Sequence, residues 1–167
     1  MNQIGLGCGC HWCTEGIFRS LTGISNVQQG WISAVEAPDF SEAVIVDFNP
    51  TQIPLSVLID IHLHTHSSTS NHRLRAKYWS AVYVFDAQEY TAAAACLTAF
   101  QPGFDQPLVT QVFQFGSYRP SPALYQDYFY VDPEKPFCSN FILPRIRQLL
   151  QDYGAYTNAG QLRRLPL

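Results

Sequence analysis

Apolar positions along this chain change their period several times, and each change marks an element. Ile4 and Leu6 lie in a short apolar stretch over residues 3–7, the pattern of a buried strand. Cys13, Ile17, Phe18 and Leu21 then recur at helical spacing and predict a helix over 11–21. Val27, Trp31 and Ile32 alternate loosely within 25–33, giving a second strand. Residues 41–48 alternate strictly: Ala43, Ile45 and Asp47 face one way, Val44, Val46 and Phe48 the other. Asn49-Pro50 ends that strand. Leu55, Leu58, Ile59, His62 and His66 return to helical spacing over 54–65, and the Val- and Tyr-rich residues 78–85 read as a strand. Asp86 with Glu89 three positions on is a capping-box variant that starts a helix running to about Phe100. Pro102 and Gly103 break it, residues 109–115 form another strand, and residues 141–153 a last helix. The order βαββαβαβ predicts an α+β fold, a mixed sheet covered by helices in one domain over residues 1–155. Residues 156–167 carry no periodicity and are expected as a flexible tail.

With 167 residues, 47% of them hydrophobic, the chain has room for one real core. Charged residues make up 14% and the net charge is -3, which excludes the basic field that nucleic acid or an anionic membrane surface would need. The chain starts directly on its first strand, without a signal-type segment or a spanning stretch, so a cytoplasmic, membrane-free protein is expected. Five cysteines at 8, 10, 13, 96 and 138 make an odd count, which argues for reactive or metal-binding thiols over a disulfide framework. Cys96 lies in an alanine-rich helical run and reads as a buried helix residue.

The chemistry concentrates in Gly9-Cys10-His11-Trp12-Cys13-Thr14-Glu15. Cys10 falls where the first strand hands over to the first helix. Unpaired backbone N–H groups and the positive end of the helix dipole favour a thiolate there. Trp12 offers a flat apolar wall beside it. Glu42, directly before a buried strand, is a candidate general acid, because desolvation would keep a proton on it near neutrality. Tyr78 is a candidate hydrogen-bond donor, and His11 either stacks on Trp12 or tunes the charge on Cys10. Glu15 reads as a helix-surface or capping residue.

These residues resemble the A class of peptide methionine sulfoxide reductases, whose members end a strand in Gly-Cys-Phe-Trp with a glutamate three residues later. A second block, Phe40-Ser41-Glu42-Ala43-Val44 closing at Asn49-Pro50, is similar to the family's His-Ala-Glu-Ala-Val. A third, Lys77-Tyr78-Trp79-Ser80-Ala81, resembles Gln-Tyr-Arg-Ser-Ala. A fourth runs from Gln126-Asp127-Tyr128 through Asp132-Pro133 to Phe137-Cys138, where the family keeps its recycling cysteine. The resemblance implies a ferredoxin-like two-layer α/β sandwich with an irregular C-terminal segment. It also implies thiol-dependent reduction of methionine S-sulfoxide, free or in proteins, for repair of oxidative damage. Cys10 would be the nucleophile, Glu42 the acid, and Trp12, His11 and Tyr78 the substrate contacts. No bound cofactor is implied; electrons would come from a dithiol reductant such as thioredoxin. Cys138 matches the recycling position and is the favoured partner for the sulfenic acid; Cys13, with the Cys-x-x-Cys spacing of dithiol motifs, is second, and Cys8 is a third thiol nearby.

Four departures bear on the pocket. His11 stands for the family's Phe, the loop 34–39 is short and lacks its tyrosine, residues 71–76 replace an acidic block, and the glycine-rich C-terminus is missing. Three other readings stay open: a thioredoxin-like dithiol oxidoreductase, a non-catalytic relative on the same scaffold, and a zinc site drawn from Cys8, Cys10, Cys13, His62, His64, His66 and His72.

Overall fold

Every strand of the sheet has two neighbours. The computed structural model describes residues 1–71 and 78–167. Residues 72–77, which hold most of the replaced acidic block, Lys77 of the third motif and the His72 considered for zinc, lie outside the described residues. Strand β1 (Asn2–Gly7) pairs antiparallel with β3 (Ser41–Phe48), Ile4 opposite Val46. Its other edge pairs with β4 (Ala81–Val84), Leu6 opposite Val82. Strand β2 (Ile24–Ala34) lies between β3 and β5 (Gln111–Pro120), and β5 runs parallel to β4. The sheet therefore closes on itself in the order β1-β3-β2-β5-β4.

The mixed α+β character holds, but an open two-layer ferredoxin-like sandwich does not describe this sheet. Among the described residues closure leaves no edge strand, and it gives the alternating strands two apolar faces instead of one. Ile32, Ala43, Ile45, Ala81, Tyr83 and Phe113 fill the barrel. Ile4, Leu6, Val44, Val46, Phe48 and Val82 face the larger core under the helices. The split read on residues 43–48 is thus correct, and both of its faces are buried. Gly30 is needed where β2 meets β5: a Cβ there would sit 2.1 Å from the Arg119 carbonyl oxygen.

Helix α1 (His11–Arg19) packs on β2 and β3, α2 (Leu55–His64) against α3 (Ala87–Phe100). Asp86 caps α3 by accepting from the Glu89 N–H at 2.8 Å, and Glu89 reaches back to the Phe85 N–H at 3.0 Å. The C-terminal part holds α4 (Tyr128–Val131), a π-helical turn (Cys138–Ile142) and α5 (Leu143–Tyr153). The expected tail is instead docked. Thr157 bridges to Leu21, Asn158 caps α6 (Ala159–Leu162), and Leu162 and Leu165 are buried. Its anchors are a cap, a single bridge and two leucines three residues apart, a set too short for periodicity to register.

Candidate active site

Between β1 and α1 the chain must reverse within three residues. Gly9 makes that turn with a φ of +138°, a conformation side chains rarely adopt, and Cys10 becomes the N-cap of α1. The cap position places the Cys10 sulfur against the first free N–H groups of the helix. Its pKa is lowered to about 7. The largest cause is a hydrogen bond from the Cys13 thiol. Burial pushes the other way, the N–H groups of Cys13 and Trp12 lower it further, and the charge of Glu42 raises it. Cys13, buried and donating to Cys10, is held far up and stays a thiol. One turn of helix therefore divides two cysteines into a thiolate and its proton-holding partner.

Cys10 opens into a cleft of about 400 Å³ walled by Gly9, His11, Trp12, Glu42, Tyr78 and Phe137. Five residues singled out from sequence, Cys10, His11, Trp12, Glu42 and Tyr78, thus share one cavity. Glu42 is the second residue of β3, opposite Trp31 of β2. Its Oε2 accepts from the backbone N–H of His11 at 3.3 Å and lies 3.8 Å from His11 Nε2. The other ring nitrogen of His11, Nδ1, is 2.9 Å from the Gly30 carbonyl oxygen. A carbonyl can only accept, so Nδ1 carries a proton and the Nε2 edge is turned to Glu42. The ring meets Trp31 edge-on at 5.3 Å and is 6.4 Å from Trp12, so it is not stacked on Trp12. Tyr78 is held next to this pair because the Trp79 N–H donates to Ser41 Oγ at 2.8 Å, one residue before Glu42.

The Trp12 wall is itself supported. Tyr128 stacks on it at 4.1 Å and 12°, Tyr125 lies at 5.9 Å, and Phe137 packs edge-on at 5.5 Å. Lys135 Nζ lies 4.1 Å from the centre of the Tyr128 ring. What places Tyr128 there is Glu15, and here the surface or capping reading fails. Glu15 is 1% exposed and accepts from Gln29 Nε2 at 2.8 Å and from the N–H groups of Asp127 at 2.8 Å and Tyr128 at 3.0 Å. Burial raises its pKa and these donors oppose the rise. Asp127, at a left-handed φ of 57°, is also held by Arg19 at 2.7 Å. One sequence signal pointed this way: Glu15 borders the apolar face of α1, three residues before Phe18.

Cys138 is fully buried at the start of the π-helical turn, not carried on an exposed mobile segment, and burial raises its pKa. It belongs to the same apolar cluster as Cys13, with Cys10 packed against that cluster. Cys96 is on α3, half-buried rather than buried. Of the residues considered for zinc, Cys8, His62 and His66 come together, while Cys10 and Cys13 pair with each other. His64 faces Asp60 and Tyr153 instead.

Known proteins resemble this chain along most of its length. The family model described as peptide methionine sulfoxide reductase matches residues 2–155. The MsrA reductase of Psychrobacter sp. (strain PRwf-1) is 30% identical over 174 residues, covering 93% of this chain and 98% of its own. Reduced Mxr1 of Saccharomyces cerevisiae has a similar fold at 22% identity, with a TM-score of 0.71 over 81% of this chain and 88% of that one. The same yeast protein in complex with Trx2 matches with a TM-score of 0.60 at 22% identity, over 75% of this chain and 83% of that one.

Proposed function

Because this chain belongs to the peptide methionine sulfoxide reductase family, we propose a route by which its own residues carry out thiol-dependent reduction of methionine S-sulfoxide. The observation that carries the route is the Cys10 thiolate and the Glu42 carboxyl facing one cleft with Trp12 as its apolar wall. The S-methyl group lies against Trp12 and the sulfoxide oxygen points to Glu42 and Tyr78. The Cys10 sulfur attacks the sulfoxide sulfur while Glu42 delivers a proton to the oxygen; the hydroxyl then moves to the Cys10 sulfur as the new sulfur–sulfur bond and the sulfur–oxygen bond of the substrate both break. The products are the thioether, a sulfenic acid on Cys10 and a Glu42 carboxylate. His11, with Nδ1 tied to Gly30, positions Glu42, and a proton taken up from solvent on Nε2 passes to the Glu42 carboxylate.

The sulfenic acid then condenses with a thiol, releasing water and forming a disulfide. The family resemblance favours Cys138 for this step. Contact favours Cys13, whose thiol already bonds to Cys10 and lies three residues away at a helix start. We assign the first disulfide to Cys10 and Cys13, with Cys138 next in line. Two electrons from a thioredoxin-type dithiol restore the pair, a partner supported by the yeast relative captured with Trx2. No bound cofactor enters this cycle. A thioredoxin-like oxidoreductase would leave Glu42, His11 and the Trp12 wall without a task. Among the described residues no helix is long and apolar enough to cross a membrane, in keeping with a cytoplasmic repair role.

The test is a thioredoxin-coupled assay on free and peptide-bound methionine sulfoxide, with the two sulfur epimers resolved by chromatography. The S form should disappear preferentially; loss of the R form overturns the arrangement. Peptide mapping after one turnover should find Cys10 joined to Cys13. A Cys10–Cys138 disulfide, with Cys13→Ser cycling normally, would overturn that assignment.

A further inference from the structure

A second polar cluster lies apart from the cleft, on the other side of the turn that carries Cys10. The sulfur of Cys8 and one ring nitrogen each from His62 and His66 lie within 4.8 Å of one another. His62 is fully buried, and its Nε2 is 2.9 Å from the Gly7 carbonyl oxygen. His66 makes the equivalent contact from Nδ1 to the His62 carbonyl oxygen. A carbonyl accepts only, so each imidazole carries its proton on the nitrogen facing the backbone and keeps its lone pair on the other. For His66 that other nitrogen is Nε2, 2.7 Å from Ser80 Oγ. The two rings lie 4.3 Å apart, on residues one helical turn apart in sequence. Imidazoles fixed through one N–H to a backbone carbonyl, with a ring nitrogen of each grouped beside a sulfur, show the outer-shell pattern of metal-binding histidine.

We propose that Cys8, His62 and His66 form a site for a borderline-soft divalent cation of the zinc class. One thiolate and two neutral imidazoles suit such an ion. The Ser80 hydroxyl or a water would complete a tetrahedron. Zinc holds sulfur at about 2.3 Å and nitrogen at about 2.0–2.1 Å, so binding draws the three donors together by roughly an ångström. Cys8, on the half-buried turn, supplies most of that movement. Its sulfur now contacts Thr14 Oγ1 at 2.5 Å. Binding releases the thiol proton and involves no change of oxidation state. Its effect is mechanical: the ion ties the turn that aims Cys10 to the end of α2, and it withdraws Cys8 from the thiols that compete for the sulfenic acid.

The probe is Co²⁺, titrated into the full reduced chain carrying Cys10→Ser and Cys13→Ser, so that the cleft thiols cannot bind it. One equivalent should bind with a thiolate-to-cobalt charge-transfer band in the near ultraviolet. Tm should rise by roughly 5–10 °C at about a hundredfold excess over Kd. Adding Cys8→Ser should remove the band. Adding His66→Gln should weaken binding at least roughly tenfold while the band persists at saturation. A band that survives Cys8→Ser, an affinity indifferent to His66→Gln, or no binding below about millimolar Co²⁺ in a folded protein each overturns the site.

Discussion

Two carboxylates flank helix α1, and their surroundings give them opposite tasks. Glu15, on the inner face, has three N–H donors directed at its two oxygens, from Gln29, Asp127 and Tyr128. Glu42, in the cleft wall, receives one backbone N–H from His11 and keeps an imidazole edge 3.8 Å away. A buried carboxylate with donors on both oxygens, three for about four lone-pair sites, works as a bracket between elements. One with a single donor, next to a thiolate and a cavity, can hold and transfer a proton. Residue type does not separate the two; the number of donors each has already accepted does.

The largest break in this comparison comes from the thiolate that both carboxylates serve. Cys10→Ser should reduce sulfoxide reduction to background with the fold intact, because an alcohol near neutral pH has neither the anion fraction nor the nucleophilicity. Circular dichroism together with a single-turnover assay checks both halves. Next comes Glu42→Gln, which keeps shape and a donor but cannot give up a proton. Sulfenic-acid formation should slow by roughly 10²–10⁴-fold with substrate binding little changed. A single-turnover rate equal to that of the parent would move the acid's role to Tyr78.

The pH dependence sharpens the same point. Alkylation of Cys10 should rise with pH through a midpoint near 7, since only the thiolate reacts and its folded-state pKa is depressed. Cys13→Ala removes the largest cause of that depression and should move the midpoint towards the 9.0 of an ordinary thiol. Alkylation at pH 7 would then be slower by up to roughly 50-fold, the ratio of thiolate fractions two units apart. An unmoved midpoint would leave the helix N–H groups as the cause.

Glu15→Gln should have the smallest chemical effect and a mainly structural one. Its amide turns a donor towards donors and leaves one of them unsatisfied, at about 1–3 kcal/mol. For a chain of this length that lowers Tm by roughly 3–10 °C. The amide oxygen serves best where the Gln29 and Tyr128 donors converge, so the Asp127 N–H loses its partner, the turn carrying Tyr128 loosens, and KM should rise more than kcat falls. A variant with kcat cut as deeply as in Glu42→Gln would erase the distinction between bracket and acid.

Much of this was readable from residues in order. Periodicity placed β1, α1, β3 and α3 within a residue or two, because their apolar spacing is regular and their ends carry strong signals at Gly9, Asn49-Pro50 and Asp86. It misjudged β5, which continues to Pro120 through a half-exposed stretch, and the docked C-terminus, whose anchors are two leucines and an asparagine cap. The cleft residues were legible because four short blocks, far apart in the chain, resemble the motifs of one enzyme family. Barrel closure was not legible. Alternation records that a strand has two apolar faces, while whether β1 finds β4 as well as β3 depends on twist and on close approaches such as Gly30 against β5.

Sequence by itself determined the element order and the thiol at a helix start, which are local properties, and resemblance of short blocks to one family proposed the set Cys10, His11, Trp12, Glu42 and Tyr78. Tertiary structure alone decided which partners each side chain meets: three donors on Glu15 and one on Glu42, Cys13 against Cys10 while Cys138 is buried, and Cys8 grouped with His62 and His66. These depend on packing between segments tens of residues apart, and no spacing rule within one segment encodes it.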